Sequence, residues 1–143
     1  MNGWTQWILA SVAAVMLIVQ GCETTGPARE VHWVPVAIST ISDVVGTWEG
    51  LMTRSPHRTR ARDEDWLRVS IGEDSTLQFA SYRTIGVFSG TGRLVLEDGK
   101  LVADSERGRV ACALYAAGVQ RMLKVTGTAR DGLEYSAELT PAR

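Results

Sequence analysis

Residues 133–140 alternate strictly: Leu133, Tyr135, Ala137 and Leu139 are apolar or aromatic, and Glu134, Ser136, Glu138 and Thr140 between them are polar. An extended backbone points successive side chains to opposite faces, so such a run makes a strand with one buried and one wetted side. The same period of two recurs at Leu67, Val69 and Ile71 and at Leu123 and Val125. Turn formers separate the runs, among them Asp98-Gly99 and Asp131-Gly132. These dipeptides make tight hairpins because Gly accepts positive φ without a steric penalty. Helical patterning is nearly absent, with only Ile41 to Val45 suited to a short turn. Eight segments are legible, at about 47–54, 65–72, 76–82, 86–96, 99–105, 108–116, 119–130 and 132–140. Short connections pair each strand with its sequence neighbour. Eight strands can also close on themselves and so remove exposed edges. The expectation is an all-β domain over 45–143, a small eight-stranded antiparallel up-and-down barrel. Ser89-Gly90-Thr91-Gly92 lies inside the fourth segment and precedes no helix. It is expected to mark a bend or bulge rather than a phosphate loop.

A meander fixes which turns share an end. Turns after the odd segments gather Arg54, Arg58, Arg60, Arg62, Arg83, Arg107 and Arg130 at one mouth, with His57 among them. Turns after the even segments gather Glu73, Asp74, Glu97 and Asp98 at the opposite end. Guanidinium groups suit bidentate contacts to carboxylate or phosphate. An apolar interior below that rim would receive a small apolar or anionic, lipid-like amphiphile. Asp63, Glu64, Asp65, Glu106 and Asp131 also fall at the mouth, so the arginines can equally neutralise themselves on solvated loops. An eight-stranded barrel is only just wide enough for its own side chains or one small ligand. The alternative is therefore a filled barrel, structural or holding another protein through its outer wall or loop 55–64.

Several function classes find no support. The 15 basic and 16 acidic residues leave a net charge of −1, without the clustered basic surplus of a nucleic-acid binder. The two histidines, His32 and His57, join no Ser-His-Asp set or metal-spaced cluster, and no phosphate loop is present. A non-enzymatic chain without metal or cofactor is expected. Cys112 sits in the apolar run Val110-Ala-Cys-Ala-Leu114 and is expected to be buried and inert.

Two resemblances add to this. Val45-Gly46-Thr47-Trp48-Glu49-Gly50 resembles the Gly-x-Trp opening of the calycin group, antiparallel barrels that commonly bind small apolar ligands. The resemblance implies a barrel-base signature of Gly46 and Trp48, with Trp48 closing the base beneath an Arg from near the chain's end. Arg121 or Arg143 could supply it.

The N-terminus resembles a bacterial lipoprotein signal. Met1 to Gly21 carry no charged residue, Trp7 to Val19 are almost wholly apolar, and the run ends Val19-Gln20-Gly21-Cys22. The resemblance implies a cleaved signal helix over 1–21 and lipid attachment at Cys22. Residues 22–44 would then be the lipidated Cys and a tether, within which His32 to Val36 could pack on the domain or dip toward the membrane. Glu23 in second place favours the outer membrane of the cell envelope. A plain signal peptide and an uncleaved anchor helix are the alternatives. Cys22→Ser is expected to abolish lipid labelling and either release the protein from membranes or leave it unprocessed. Normal cleavage with full membrane retention in a fractionation experiment would contradict the lipoprotein reading.

Overall fold

Each alternating segment forms a strand. The structure, a computed structural model, describes residues 30–55, 63–83 and 86–143, with the backbone alone at 63, 82–83 and 86–88. The strands are β1 (Val34–Val36), β2 (Gly46–Ser55), β3 (Asp63–Ile71), β4 (Thr76–Arg83), β5 (Gly86–Glu97), β6 (Lys100–Ser105), β7 (Gly108–Ala117), β8 (Gln120–Thr128) and β9 (Glu134–Pro141). From β2 onward every strand pairs antiparallel with the next, and β2 pairs with β9. The result is a closed eight-stranded antiparallel barrel with one added strand.

The added strand is β1. It pairs with β7 at Val34↔Ala116 and Val36↔Leu114. β6 reaches only to the Leu101↔Cys112 pair, so β1 takes over the edge of β7 where its shorter neighbour has ended. Pro35 is tolerated because β1 lies at a sheet edge. Beyond it Ile38 is buried at 9% exposure and Val44 at 0%, and Ile41–Asp43 form a 3-10 turn. The folded unit thus starts at His32, inside the segment expected to be a tether. Ile38 and Val44 are drawn into the same buried apolar cluster as Trp48, at the base of the barrel.

Alternation sorts the side chains. Trp48, Met52, Leu67, Val69, Ile71, Leu77, Leu94, Leu101, Leu114, Leu123 and Leu139 are all buried, while Leu51, Trp66 and Leu96 lie outside and exposed. Burying a side chain of this kind contributes about 1.5–3 kcal/mol. Outer-face ion pairs such as Arg68–Glu49 at 2.9 Å and Arg109–Glu97 at 2.6 Å are largely solvated and add little.

The turns differ in how they use Gly. Asp98 and Gly99 both take positive φ, 49° and 74°, and join Glu97 directly to Lys100 in a two-residue hairpin. Asp131-Gly132 instead sits in a five-residue loop closed by Ala129 N–H to Leu133 O at 3.0 Å. The glycines of β5 do not make a bulge, because both of its ladders run without a slip. Gly90 stands opposite Phe79, whose ring lies 2.5 Å from where a Cβ would be. The missing side chain there admits an aromatic ring from the next strand.

Cys112 is 8% exposed, and burial pushes its thiol pKa up to about 12 from 9.0. The folded chain holds that proton where the unfolded chain has lost it. The stability it supports is intact below pH 9 and is lost as pH rises from 9 toward 12, at up to about 1.4 kcal/mol per pH unit. Denaturant titrations across this window are expected to show that decline and to show it reduced in Cys112→Ala. An identical slope in the variant would contradict the assignment.

Candidate functional site

The barrel has one closed end. Gly46 opens β2 with φ 129°, a conformation that side-chain-bearing residues rarely adopt, and so brings the chain from the 3-10 turn into the wall. Two residues on, Trp48 points inward at 2% exposure, and its indole N–H donates to the Val44 carbonyl at 2.8 Å. Arg121 at the start of β8 stands over the indole, 5.8 Å from the ring centroid, and donates to the Asp43 carbonyl. Arg143 is exposed at the chain's end. The Asp43 carboxylate accepts from the Ser39 and Thr40 backbone N–H groups at 2.8 and 3.0 Å. The Thr40 bond, then that from Ser39 and the nearby Arg121 charge, hold its pKa below the usual value. Trp48 and Arg121 therefore form one plug, bound to the 3-10 turn that precedes it, and Gly46 leads from that turn into the strand.

Above the plug the interior is not filled. Leu101, Leu114 and Leu139, each at most 2% exposed, pack toward the Trp48 end. Beyond them lies a cavity of about 90 Å³, lined by Met52, Val69, Phe79, Leu94, Val110 and Val125 among others from every barrel strand. The lining is overwhelmingly apolar, and Ser105, Arg107 and Tyr135 bring polar atoms to its mouthward part.

The other end of the barrel carries charge. Arg54, last of the inward-facing set on β2, is 9% exposed and lies directly across from Tyr135 on β9. The Tyr135 hydroxyl donates to Asp131 Oδ2 at 2.8 Å, and Asp131 Oδ1 accepts from Leu133 N–H at 3.0 Å. Burial first, then Asp131, raise the tyrosine pKa, while Arg54 opposes the shift. Arg107 and Arg130 occupy adjacent turns joined by Arg130 N–H to Arg107 O at 2.9 Å. Arg83 ends β4 at the same end, where only its backbone is described. Arg58, Arg60 and Arg62, like Cys22, lie outside the described residues. The structure thus brings Arg54, Arg107 and Arg130 to one mouth, with Arg54 turned inward rather than forming an outer rim.

Three inward polar residues went unnoticed as a set in the sequence. Asp65, at 9% exposure, continues the inward series Leu67, Val69 and Ile71, and Ser81, at 0%, continues Leu77 and Phe79. Tyr135 continues Ala137 and Leu139 in the same way. The signal was the alternation itself, extended one step past the last apolar residue. Trp66, next to Asp65, necessarily points out, and it is 50% exposed.

No protein-family model, no curated protein and no solved structure matches this chain. Its function must be argued from the barrel alone.

The plug is testable by itself. Arg121→Ala removes a ring contact and a hydrogen bond to a backbone carbonyl, and is expected to cost about 1 kcal/mol of unfolding free energy. Arg109→Ala, which removes only half-exposed ion pairs, is expected to cost less than about 0.5 kcal/mol. Equal losses in denaturant unfolding would contradict a special role for Arg121.

Proposed function

We propose that this chain is a calycin-like binding protein of the bacterial cell envelope, held to a membrane by lipid on Cys22, that takes a small, mainly apolar ligand into its barrel. The carrying observation is the apolar cavity of about 90 Å³ between the Trp48 plug and the charged mouth. A void lined by Leu, Val and Phe stays dry and favours apolar occupants. Its size sits well below the roughly 300–1,000 Å³ of pockets for drug-sized ligands, so a slender chain or a single ring is the scale to consider. The turn that caps the base and the paired turns at the mouth frame the cavity without filling it. The lipid anchor draws support from the uncharged apolar run ending at Cys22, and outer-membrane placement from Glu23 in second place. Binding without catalysis is the reading proposed for this apolar lining.

A second reading, a barrel that holds another envelope protein through its outer wall, rests on Leu51 and Trp66. These are directly paired across β2 and β3, with 46% and 50% of their surface exposed. Aromatic anchors of this kind commonly dominate protein interfaces.

Methyl NMR separates the two. With the full chain in lipid nanodiscs, titration of short n-alkanes is expected to shift methyl resonances of Val69, Leu94 and Val125 saturably, and Val125→Phe is expected to weaken that response at least tenfold. Absence of any saturable shift at cavity methyls would remove the ligand-binding reading.

A further inference from the structure

The mouth of the barrel holds two buried polar atoms that have no hydrogen-bond partner among the described residues. Asp65 is 9% exposed; its Oδ1 accepts from Trp66 N–H at 2.8 Å, and its Oδ2, fully buried, has no hydrogen-bond partner among the described residues. Ser81 is 0% exposed, and its Oγ likewise has none. The two do not bond each other. Burying such atoms unpaired costs free energy each time, and native proteins usually avoid it.

Their placement ties them to the cavity. Asp65 pairs with Met52 on β2, Ser81 pairs with Leu67 on β3, and Leu67 is the next inward residue after Asp65. Met52 and Leu67 both line the apolar cavity. The unpaired atoms therefore lie on adjacent strands, diagonal to one another on the inner face, one step mouthward of the lining. Arg54 follows Met52 inward on β2 and faces Tyr135, which is itself bonded to Asp131.

We propose that Asp65 and Ser81 seat the polar end of the ligand, and that this end is a hydrogen-bond donor, a hydroxyl or an amine, carried on a short apolar chain or ring. The inference rests on the ligand-binding reading above and names the class of ligand. An aspartate offers acceptors only, whereas a serine hydroxyl can donate or accept. A ligand hydroxyl donates to Asp65 Oδ2 and accepts from Ser81 Oγ–H, and an ammonium donates to both. A carboxylate brings like charge against Asp65, so the seat selects against the anionic amphiphile that the arginine count alone suggests. The apolar part of the ligand then lies against Met52, Leu67 and Phe79, where no polar atom competes for it.

The test compares n-pentanol, n-pentylamine, pentanoate and n-pentane on the full chain in nanodiscs, read by cavity methyl shifts. The alcohol or the amine is expected to bind about tenfold or more tighter than both pentane and pentanoate, and which of the two leads identifies the head group. Ser81→Ala and Asp65→Leu are expected to erase that preference while leaving pentane affinity within about twofold. Because each removes an unpaired buried group, each is also expected to raise the unfolding temperature of the ligand-free protein. Where a variant fails to fold, the wild-type order of affinities decides alone. If pentane binds and the alcohol and amine bind no tighter, or pentanoate binds best, this inference is overturned and the apolar cavity stands. If no compound shifts a cavity methyl, the binding reading itself fails.

Discussion

Strand β2 is hydrogen-bonded along both edges, to β3 from Gly46↔Ile71 onward and to β9 from Trp48↔Pro141 onward. That double pairing closes the sheet, and the rest of the structure depends on it. Closure removes the edges that an open meander would leave and fixes one face of every strand as interior. Trp48, Met52 and Arg54 then stand in one inward column on β2: plug, cavity wall and mouth. The order of these three along a single strand places each functional level of the barrel.

The base and the mouth are built from different physics. At the base, an indole is enclosed by apolar side chains and its one polar atom is satisfied by the Val44 carbonyl, while Arg121 ties the plug to the turn that precedes it. Among the described residues no buried side-chain polar atom there is left unpaired, and the arrangement suits a permanent seal. At the mouth, charged and hydroxyl groups enter the interior at Arg54, Asp65, Ser81 and Tyr135. Some are satisfied by one another and some are not. A barrel that kept its full stability would have filled these positions with apolar residues.

The strands were legible because an interior face demands strict alternation, and runs such as Leu133 to Thr140 carry it openly. β1 was not legible as a strand because it is three residues long, holds Pro35 and buries none of its side chains; only the unpaired edge of β7 calls for it. The closeness of Trp48 and Arg121 was approachable from the resemblance to calycins, since meander topology puts the starts of β2 and β8 at one end. The burial of Asp65 was obscured because it stands among charged residues that read as a solvated rim, and that of Ser81 because it follows the last apolar inward residue of its segment. Their burial follows from the phase of the strand and outweighs the local composition. The bulge alternative for Gly90 fails for a related reason: a glycine admitting a ring from the next strand and a glycine marking a bulge look alike until the register is known.

The central proposal is that the apolar space between plug and mouth accepts a ligand. Xenon under pressure enters dry apolar cavities and avoids polar or well-filled interiors. Crystals of the full chain under xenon test the claim most directly. The account predicts a xenon atom between Val69, Phe79, Leu94 and Val125. Side chains packed across that space with no xenon between them would contradict it.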